Sequence, residues 1–438
     1  MKFNTSFTLI IDLDASSLLF IVIIIYNNME EVITNLYNEL KELKGGKVAD
    51  YIPQLASVNS ELFGISVCTV DGNIFNIGDC NVHFCLQSCS KPLSYCIVHD
   101  SLGGEKIHNH VGYEPSGREF NAFILNKKGL PHNPLINAGA IMVASLIDSD
   151  KEPSHRFNTI KDYYSRMAGN LDIVGFDNSV FLSEQHHADR NISLAYYMRE
   201  NGAFKNISPN EITESLNLYF QQCSTTITCS MGSVIASTLA NGGICPITNE
   251  KIVSTDAVQD CLTLMYGCGM YDYTGQFAFE VGLPAKSGVS GCILLVIPNK
   301  MGICIWSPPL DDQGNSFKGI EFCKRISKSM KLHIFHNMVS NNIDFSNTYN
   351  LTNRFISMCS TGDLENIKKI IDKVDVNCCD YDKRTPLHLA AAEGYVDIVK
   401  LLINKGAKNN KDRWGNTPLS EIVNKTDENY NSIRNLLT

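Results

Sequence analysis

In the stretch CLQSCSKPLSYCI, residues 85–97, Ser88 and Lys91 form the one Ser-x-x-Lys pair of the chain. On a helix that spacing stacks both side chains on one face. Pro92 follows directly, and proline is tolerated in a first helical turn, whose N–H groups have no intrahelical partner; a helix is therefore expected to start at Ser88 or just after it. A serine hydroxyl is a weak nucleophile until a base takes its proton, and a lysine can be that base once burial lowers its pKa towards neutrality. The positive end of the helix disfavours a charge on Lys91, and its free N–H groups can stabilise an oxyanion. Taken alone, the pattern also arises by chance in a chain of 438 residues.

Context comes from Lys286-Ser287-Gly288 in LPAKSGVSGCILLVIP (283–298), directly before an apolar run that reads as a strand. Serine β-lactamases and penicillin-binding proteins carry Lys-Thr-Gly beside a strand together with Ser-x-x-Lys, and the two motifs here resemble that arrangement in the same order. The strand edge after K-S-G can supply the N–H of Val289 opposite that of Ser88, giving two donors for an oxyanion. Lys286 alone reads as a solvated lysine at a strand end.

The elements that must position these residues follow from the pattern around them. FGISVCTVDGNIFNIGD (63–79) reads as two strands joined at Asp71-Gly72, and GCILLVIPNKMGICIWSPP (291–309) as two more joined at Pro298-Asn299-Lys300. Between them lie helical stretches at 193–200, 214–224 and 230–243, the last ending on glycines. Strands at both ends with helices between predict an α+β domain whose terminal strands share one antiparallel sheet. MEEVITNLYNELKEL (29–43) has helical apolar spacing and reads as a stub ahead of that domain.

After residue 330 the composition changes. HNMVSNNIDFSNTYNLTN (336–353) is rich in Asn and Ser, so residues 331–353 read as a linker. RTPLHLAAAEGYVDIVKLLINKGA (384–407) carries the T-P-L-H-x-A signature of an ankyrin unit, GNTPLSEIV (415–423) begins another, and 358–377 reads as the second part of a preceding one. The organisation is thus a leader and stub at 1–44, a catalytic domain at 45–330, the linker, and an α-helical ankyrin array at 354–438 that binds a protein partner or serves as a stabilising cap.

A formal charge of −9 argues against general nucleic-acid binding, which needs a basic surface. The sixteen cysteines are scattered without zinc-ligand spacing, which fits a reduced compartment, cytoplasmic or mitochondrial. SSLLFIVIIIY (16–26) is too short for a membrane span, and Asp12 and Asp14 interrupt any extension upstream. It fits neither a transit nor a signal peptide, so two readings stay open: a leader without structure, with the folded chain starting near Met29, or an anchor or unusual targeting segment.

Many segments together resemble the serine-dependent glutaminase family: ADYIPQLA (49–56), CLQSCSKPL (85–93), EPSG (114–117), PHNPLINAGAI (131–141), SEQHHADRN (183–191), YFQQCS (219–224), LANGGICPIT (239–248), CGMYDYTGQFAFEVGLPAKSGVSGC (268–292) and WSPPLDDQGNS (306–316). They run in order over residues 45–330, and the ankyrin units resemble the animal members. The resemblance implies a serine β-lactamase-like fold and hydrolysis of L-glutamine to L-glutamate and ammonia. It makes Ser88 the nucleophile and Lys91 its base, and places Tyr271 and Tyr219 over the pair. Tyr51, Gln87, Asn137, Glu184, Asn191 and the backbone of Val289 would line the pocket, with Glu184 as partner of the substrate ammonium. It implies no metal or organic cofactor, inorganic phosphate as an activator, and homodimers or homotetramers in the mitochondrion. FNAFILNKKG (120–129) resembles the loop that gates the site and lies at the tetramer contact.

Each residue also has a bland reading. Tyr219 and Tyr271 fit ordinary core aromatics, and Asn137 fits a helix cap. Glu184-Gln185-His186-His187 hints at a metal, but neighbours on one short segment converge poorly. A penicillin-recognising hydrolase and an inactive enzyme domain carrying an ankyrin scaffold remain as alternatives.

Overall fold

The computed structural model describes residues 29–204, 207–336, 348–380 and 382–438, and the chain divides into two compact units, Met1–His336 and Asn337–Thr438. The 1–28 leader lies outside the described residues.

The strands of the first unit are β1 (Gly64–Thr69), β2 (Ile74–Gly78), β3 (Phe84–Cys85), β4 (Gly175–Phe176), β5 (Thr225–Ile227), β6 (Ala285–Gly288), β7 (Cys292–Ile297) and β8 (Met301–Trp306). Five of them form an antiparallel sheet in the order β2-β1-β8-β7-β6. The first and last hairpins of the domain therefore meet at β1 and β8, as the sequence pattern predicts. A smaller sheet, β3-β5-β4, sits apart from it.

β1, β7 and β8 are buried along their whole length, because both faces of the sheet are covered. Ile65, Val67, Ile293, Leu295, Ile303 and Ile305 pack to one side against Ile320, Phe322 and Ile326 of the helix Phe317–Ser329. Cys68, Leu294, Val296, Cys304 and Trp306 pack to the other, against Met231, Val234 and Ile235 of the helix Cys229–Ala240. That helix lies close: a Cβ added to Gly302 would stand 2.0 Å from Ser237 N, so only glycine fits there.

The helix at 29–41 is not a separate stub. Met29, Ile33, Leu36 and Leu40, spaced at helical period, are buried in the same cluster as Ile65 and Ile305, so it completes one layer of the first unit. The linker boundary moves as well. Leu332 is buried in that cluster, and a helix, Thr348–Thr361, begins inside the stretch that reads as linker.

The helical half holds Ser90–Leu102, Asn137–Leu146, Pro153–Met167, Asn178–His186, Asp189–Glu200 and Pro209–Cys223. Pro209–Cys223 starts cleanly because proline opens it and Ser208 and Glu211 form a reciprocal capping box.

In the second unit the T-P-L-H motif shows its mechanism. Pro386 opens the helix Pro386–Ala392, Thr385 Oγ1 and N–H both meet His388 Nδ1 (2.9 and 3.1 Å), and His388 Nε2 reaches Asn416 O of the next repeat at 3.1 Å. Leu387, Ala390, Ala391, Ile398, Val399 and Leu402 form a continuous core with Phe355 and Ile433.

Candidate functional site

Ser88 lies in a single 3₁₀ turn, Gln87–Cys89, that runs straight into the helix Ser90–Leu102 carrying Lys91 in its first turn. Gln87 has φ 49°, a left-handed backbone that a side chain rarely adopts, and the residue that opens the opposite turn Tyr271–Tyr273 has φ 53°. These two strained positions flank the same centre. The Ser88 turn is held from behind: Ser90 Oγ donates to Gln87 O at 2.7 Å, and Ser94 Oγ hydrogen-bonds Tyr164 OH and Gln222 Oε1. β6 lies against it so closely that a Cβ on Gly288 would stand 2.9 Å from Leu86 O and 3.2 Å from Cys89 Sγ, which explains the glycine of K-S-G. Val289 follows at the end of β6, packed by its side chain on Ile52, Leu55 and Val180. Trp306, stacked on Phe84 at 4.8 Å, donates from Nε1 to Ser290 O at 2.9 Å and pins this corner.

Lys91 is 2% exposed and its Nζ donates to Asn137 Oδ1 at 2.8 Å. The same oxygen accepts from Tyr219 OH at 3.3 Å, and Asn137 Nδ2 donates to Asn191 Oδ1 at 3.0 Å. Asn137 is the first residue of its helix, and its side chain is spent on Lys91 and Asn191 instead of capping. Among the described residues no carboxylate forms an ion pair with Lys91, and Glu184 acts on it only weakly from a distance. Burial, reinforced by the nearby Lys286 charge, lowers it to about 7. Lys286 is fully buried and itself lowered to about 8 by burial; its Nζ stands 4.5 Å from the Tyr271 ring centroid and donates to Ser287 O at 2.6 Å. It is not a solvated strand end. The site set read from the sequence omits it, although the K-S-G motif already marked it.

Tyr271 OH is buried without a well-formed hydrogen bond; burial pushes its pKa up, and an interaction with Ser88 opposes the shift. Its ring meets Phe120 at 5.0 Å, and Phe120 O accepts from Asn137 N at 3.0 Å, so the 120–129 loop touches both Tyr271 and the residue that holds Lys91. Sequence reading placed that loop near the site but singled out no residue in it.

On the other side, Glu184 Oε1 accepts from Tyr51 OH at 2.7 Å and Gln87 Nε2 at 3.0 Å. Tyr51 is 45% exposed, yet its hydroxyl points inward to this carboxylate. Burial raises the Glu184 carboxyl, and the bonds from Tyr51 and Gln87 oppose that rise. The structure thus brings all ten residues singled out in the sequence to one region: Ser88, Lys91, Asn137, Asn191, Tyr219 and Tyr271 on one side, Tyr51, Gln87 and Glu184 on the other, with Val289 at the strand end. A cavity of about 430 Å³ lined by Ser116, Arg118, Phe120, Cys268 and Asp272 opens beside it and shares Tyr271. Among the described residues, no group of His, Cys, Asp or Glu is arranged to hold a metal ion, and no helix is long and apolar enough to cross a membrane.

A family model described as glutaminase matches residues 46–335, and one for three ankyrin repeats matches 355–438. The rat protein named glutaminase liver isoform, mitochondrial, is 46% identical over 402 residues, which covers 89% of this chain; the chain spans 66% of that relative's length. A glutaminase from Nostoc is 43% identical over 309 residues, covering 70% of this chain and 90% of its own. Among solved structures, the probable glutaminase ybaS superposes with a TM-score of 0.67 at 33% identity, covering 70% of this chain and 98% of its own, and Mglu in its tris and glutamate form with 0.65 at 34%, covering 72% and 68%.

Proposed function

The chain belongs to the glutaminase family, and from that premise we propose that it hydrolyses L-glutamine to L-glutamate and ammonia through an acyl-enzyme on Ser88. The observation that carries this reading is a buried lysine with a neutral partner: Lys91, lowered to about 7 and bonded to Asn137, one turn beyond Ser88.

Neutral Lys91 donates one N–H to Asn137 and keeps its lone pair for the Ser88 proton. The freed oxygen attacks the side-chain amide carbon of glutamine. The resulting oxyanion is met by the N–H groups of Ser88 and Val289. The proton on Lys91, passed through Tyr271 or Tyr219, goes to the departing ammonia as the carbon–nitrogen bond breaks. Water then attacks the Ser88 ester, Lys91 takes its proton, and glutamate leaves with the serine restored. Glu184, held by Tyr51 and Gln87, receives the substrate ammonium, while Asn137 and Asn191 hold Lys91 and line the other side of the pocket. No step calls for a metal or organic cofactor.

Inorganic phosphate as an activator, assembly into a homodimer or homotetramer, a protein partner for the ankyrin repeats and a mitochondrial location belong to the same reading; the last is supported by the names of the rat and mouse relatives. The test is ammonia release from L-glutamine by the purified full chain, with and without phosphate. Saturable release is expected. A folded chain that releases none under either condition would leave an ankyrin scaffold with an inactive domain, and hydrolysis of penicillins instead would mark the other serine hydrolase class.

A further inference from the structure

The two strained residues of the site, Gln87 at φ 49° and Tyr271 at φ 53°, are fastened in the same way. Three residues on, a hydroxyl donates to the strained residue's own carbonyl at 2.7 Å: Ser90 Oγ to Gln87 O, and Thr274 Oγ1 to Tyr271 O. The other non-glycine residues described with positive φ are built differently. Asp148, Asn170, Asn249 and Asn299 are of the short polar types that tolerate this backbone, and neither they nor Lys331 and Lys383 have a serine or threonine three residues on.

Thr274 does more than Ser90. Its Oγ1 also accepts from Met270 N at 3.0 Å, so one oxygen ties the N–H of the residue before Tyr271 to the carbonyl of Tyr271 itself. Met270 and Thr274 are 1% and 8% exposed, so water offers no ready substitute for that oxygen. Asn315 Nδ2 reaches Met270 O at 3.4 Å and is the looser side-chain support of the turn. The Tyr271 ring is flanked by Phe120 at 5.0 Å and Lys286 Nζ at 4.5 Å, but its hydroxyl has no well-formed bond to keep it at Ser88. The place of that hydroxyl is therefore set by the backbone that carries it.

We propose that Thr274 is a positioning residue for the reaction: its hydroxyl holds Tyr271 in the left-handed conformation that brings the phenol to Ser88. The proposal rests on the reaction assigned to Ser88 and on Tyr271 as a carrier of its proton.

Thr274→Val keeps the shape of the side chain and removes the hydroxyl. In the full chain its kcat for ammonia release should fall about tenfold or more, since a misplacement of about 1 Å can cost a hundredfold, while KM changes by less than about threefold. Thr274→Ser should recover most of the loss. In a Tyr271→Phe background, Thr274→Val should cost under about twofold further, because the hydroxyl it positions is already gone. The crystal structure of Thr274→Val should show the Tyr271 phenol displaced from Ser88 by about 1 Å or more, with Ser88 and Lys91 in place. Unchanged kcat in Thr274→Val, equal losses in the two backgrounds, or an undisplaced phenol overturns the proposal. A wild-type chain that releases no ammonia refutes the assigned reaction instead, and the position of the phenol in the Thr274→Val crystal still decides whether Thr274 holds Tyr271.

Discussion

The two sides of the site treat buried charge in opposite ways. Around Lys91 a cation is buried with no ion-pair partner among the described residues: its hydrogen-bond partner is the neutral Asn137, and a second lysine lies near. Glu184 acts on it only as a weaker, more distant charge, and burial eases the group towards its neutral form. Around Glu184 a carboxylate is buried with neutral hydrogen-bond donors, Tyr51 and Gln87, and among the described residues no lysine or arginine pairs with it directly, Lys91 acting only from a distance. A buried charge without its counterpart is expensive. In the proposed mechanism the expense produces a base on one side, and on the other it leaves a place for a cation that arrives with the substrate. The difference separates a chemical side from a recognition side.

Removing the chemical side should have the largest effect. Ser88→Ala and Lys91→Met are each expected to lower kcat by about 10⁴-fold or more, and the double variant to fall little further, since residues acting as one unit are not additive. Ammonia release with thermal melts as a folding control checks this. Independent losses that multiply would break the unit.

On the recognition side, Glu184→Gln keeps the size but removes the charge. If the carboxylate pairs with the substrate ammonium, kcat/KM on L-glutamine should drop by roughly a hundred- to several-thousand-fold, the equivalent of about 3 to 5 kcal/mol. N-acetylglutamine, which lacks the ammonium, should be a poor substrate and discriminate little between the two forms. Equal losses on both substrates would reassign Glu184 to structure.

The acid side of the pH profile sharpens the comparison further. If Lys91 is the base it must be neutral to act, so kcat/KM should rise with pH up to about 7 and fall roughly tenfold per unit below it. Protonation of Glu184, whose carboxyl burial raises, adds a second loss at lower pH that Glu184→Gln should abolish. A profile flat through the neutral range would contradict a lysine base.

Much of this was legible in the sequence because chemistry at short spacing is local. Ser88 and Lys91 share one helical start, K-S-G needs a glycine where β6 meets the Ser88 turn, and T-P-L-H is a capping device whose residues lie within one turn. The hairpins at either end declared themselves through apolar runs broken by turn residues, and their meeting at β1 and β8 followed from the helical middle. What stayed hidden depends on distant packing. Nothing near residue 137 announces that its amide will hold Lys91, 46 positions away. The burial of Lys286 beneath Tyr271 and the left-handed backbone of Gln87 arise only when β6 and two turns converge. The helix at 29–41 reads as a stub because its apolar face looks the same whether it packs on a sheet or on a partner.

Tyr51→Phe is the mildest break. It takes one of two donors from Glu184 and leaves the ring in place, so kcat/KM should fall by roughly ten- to a hundredfold, a hydrogen bond to a charged group being worth about 1.5 to 3 kcal/mol. The loss should appear mainly in KM. A loss confined to kcat would move Tyr51 to the chemical side.

The most direct test of the central claim is to quench the full chain with acid during turnover of L-glutamine and locate the covalent adduct by peptide mass spectrometry. A γ-glutamyl ester on the peptide containing Ser88, absent from Ser88→Ala, is the predicted result. An adduct on another residue, or steady turnover by Ser88→Ala with no adduct at all, would contradict the account.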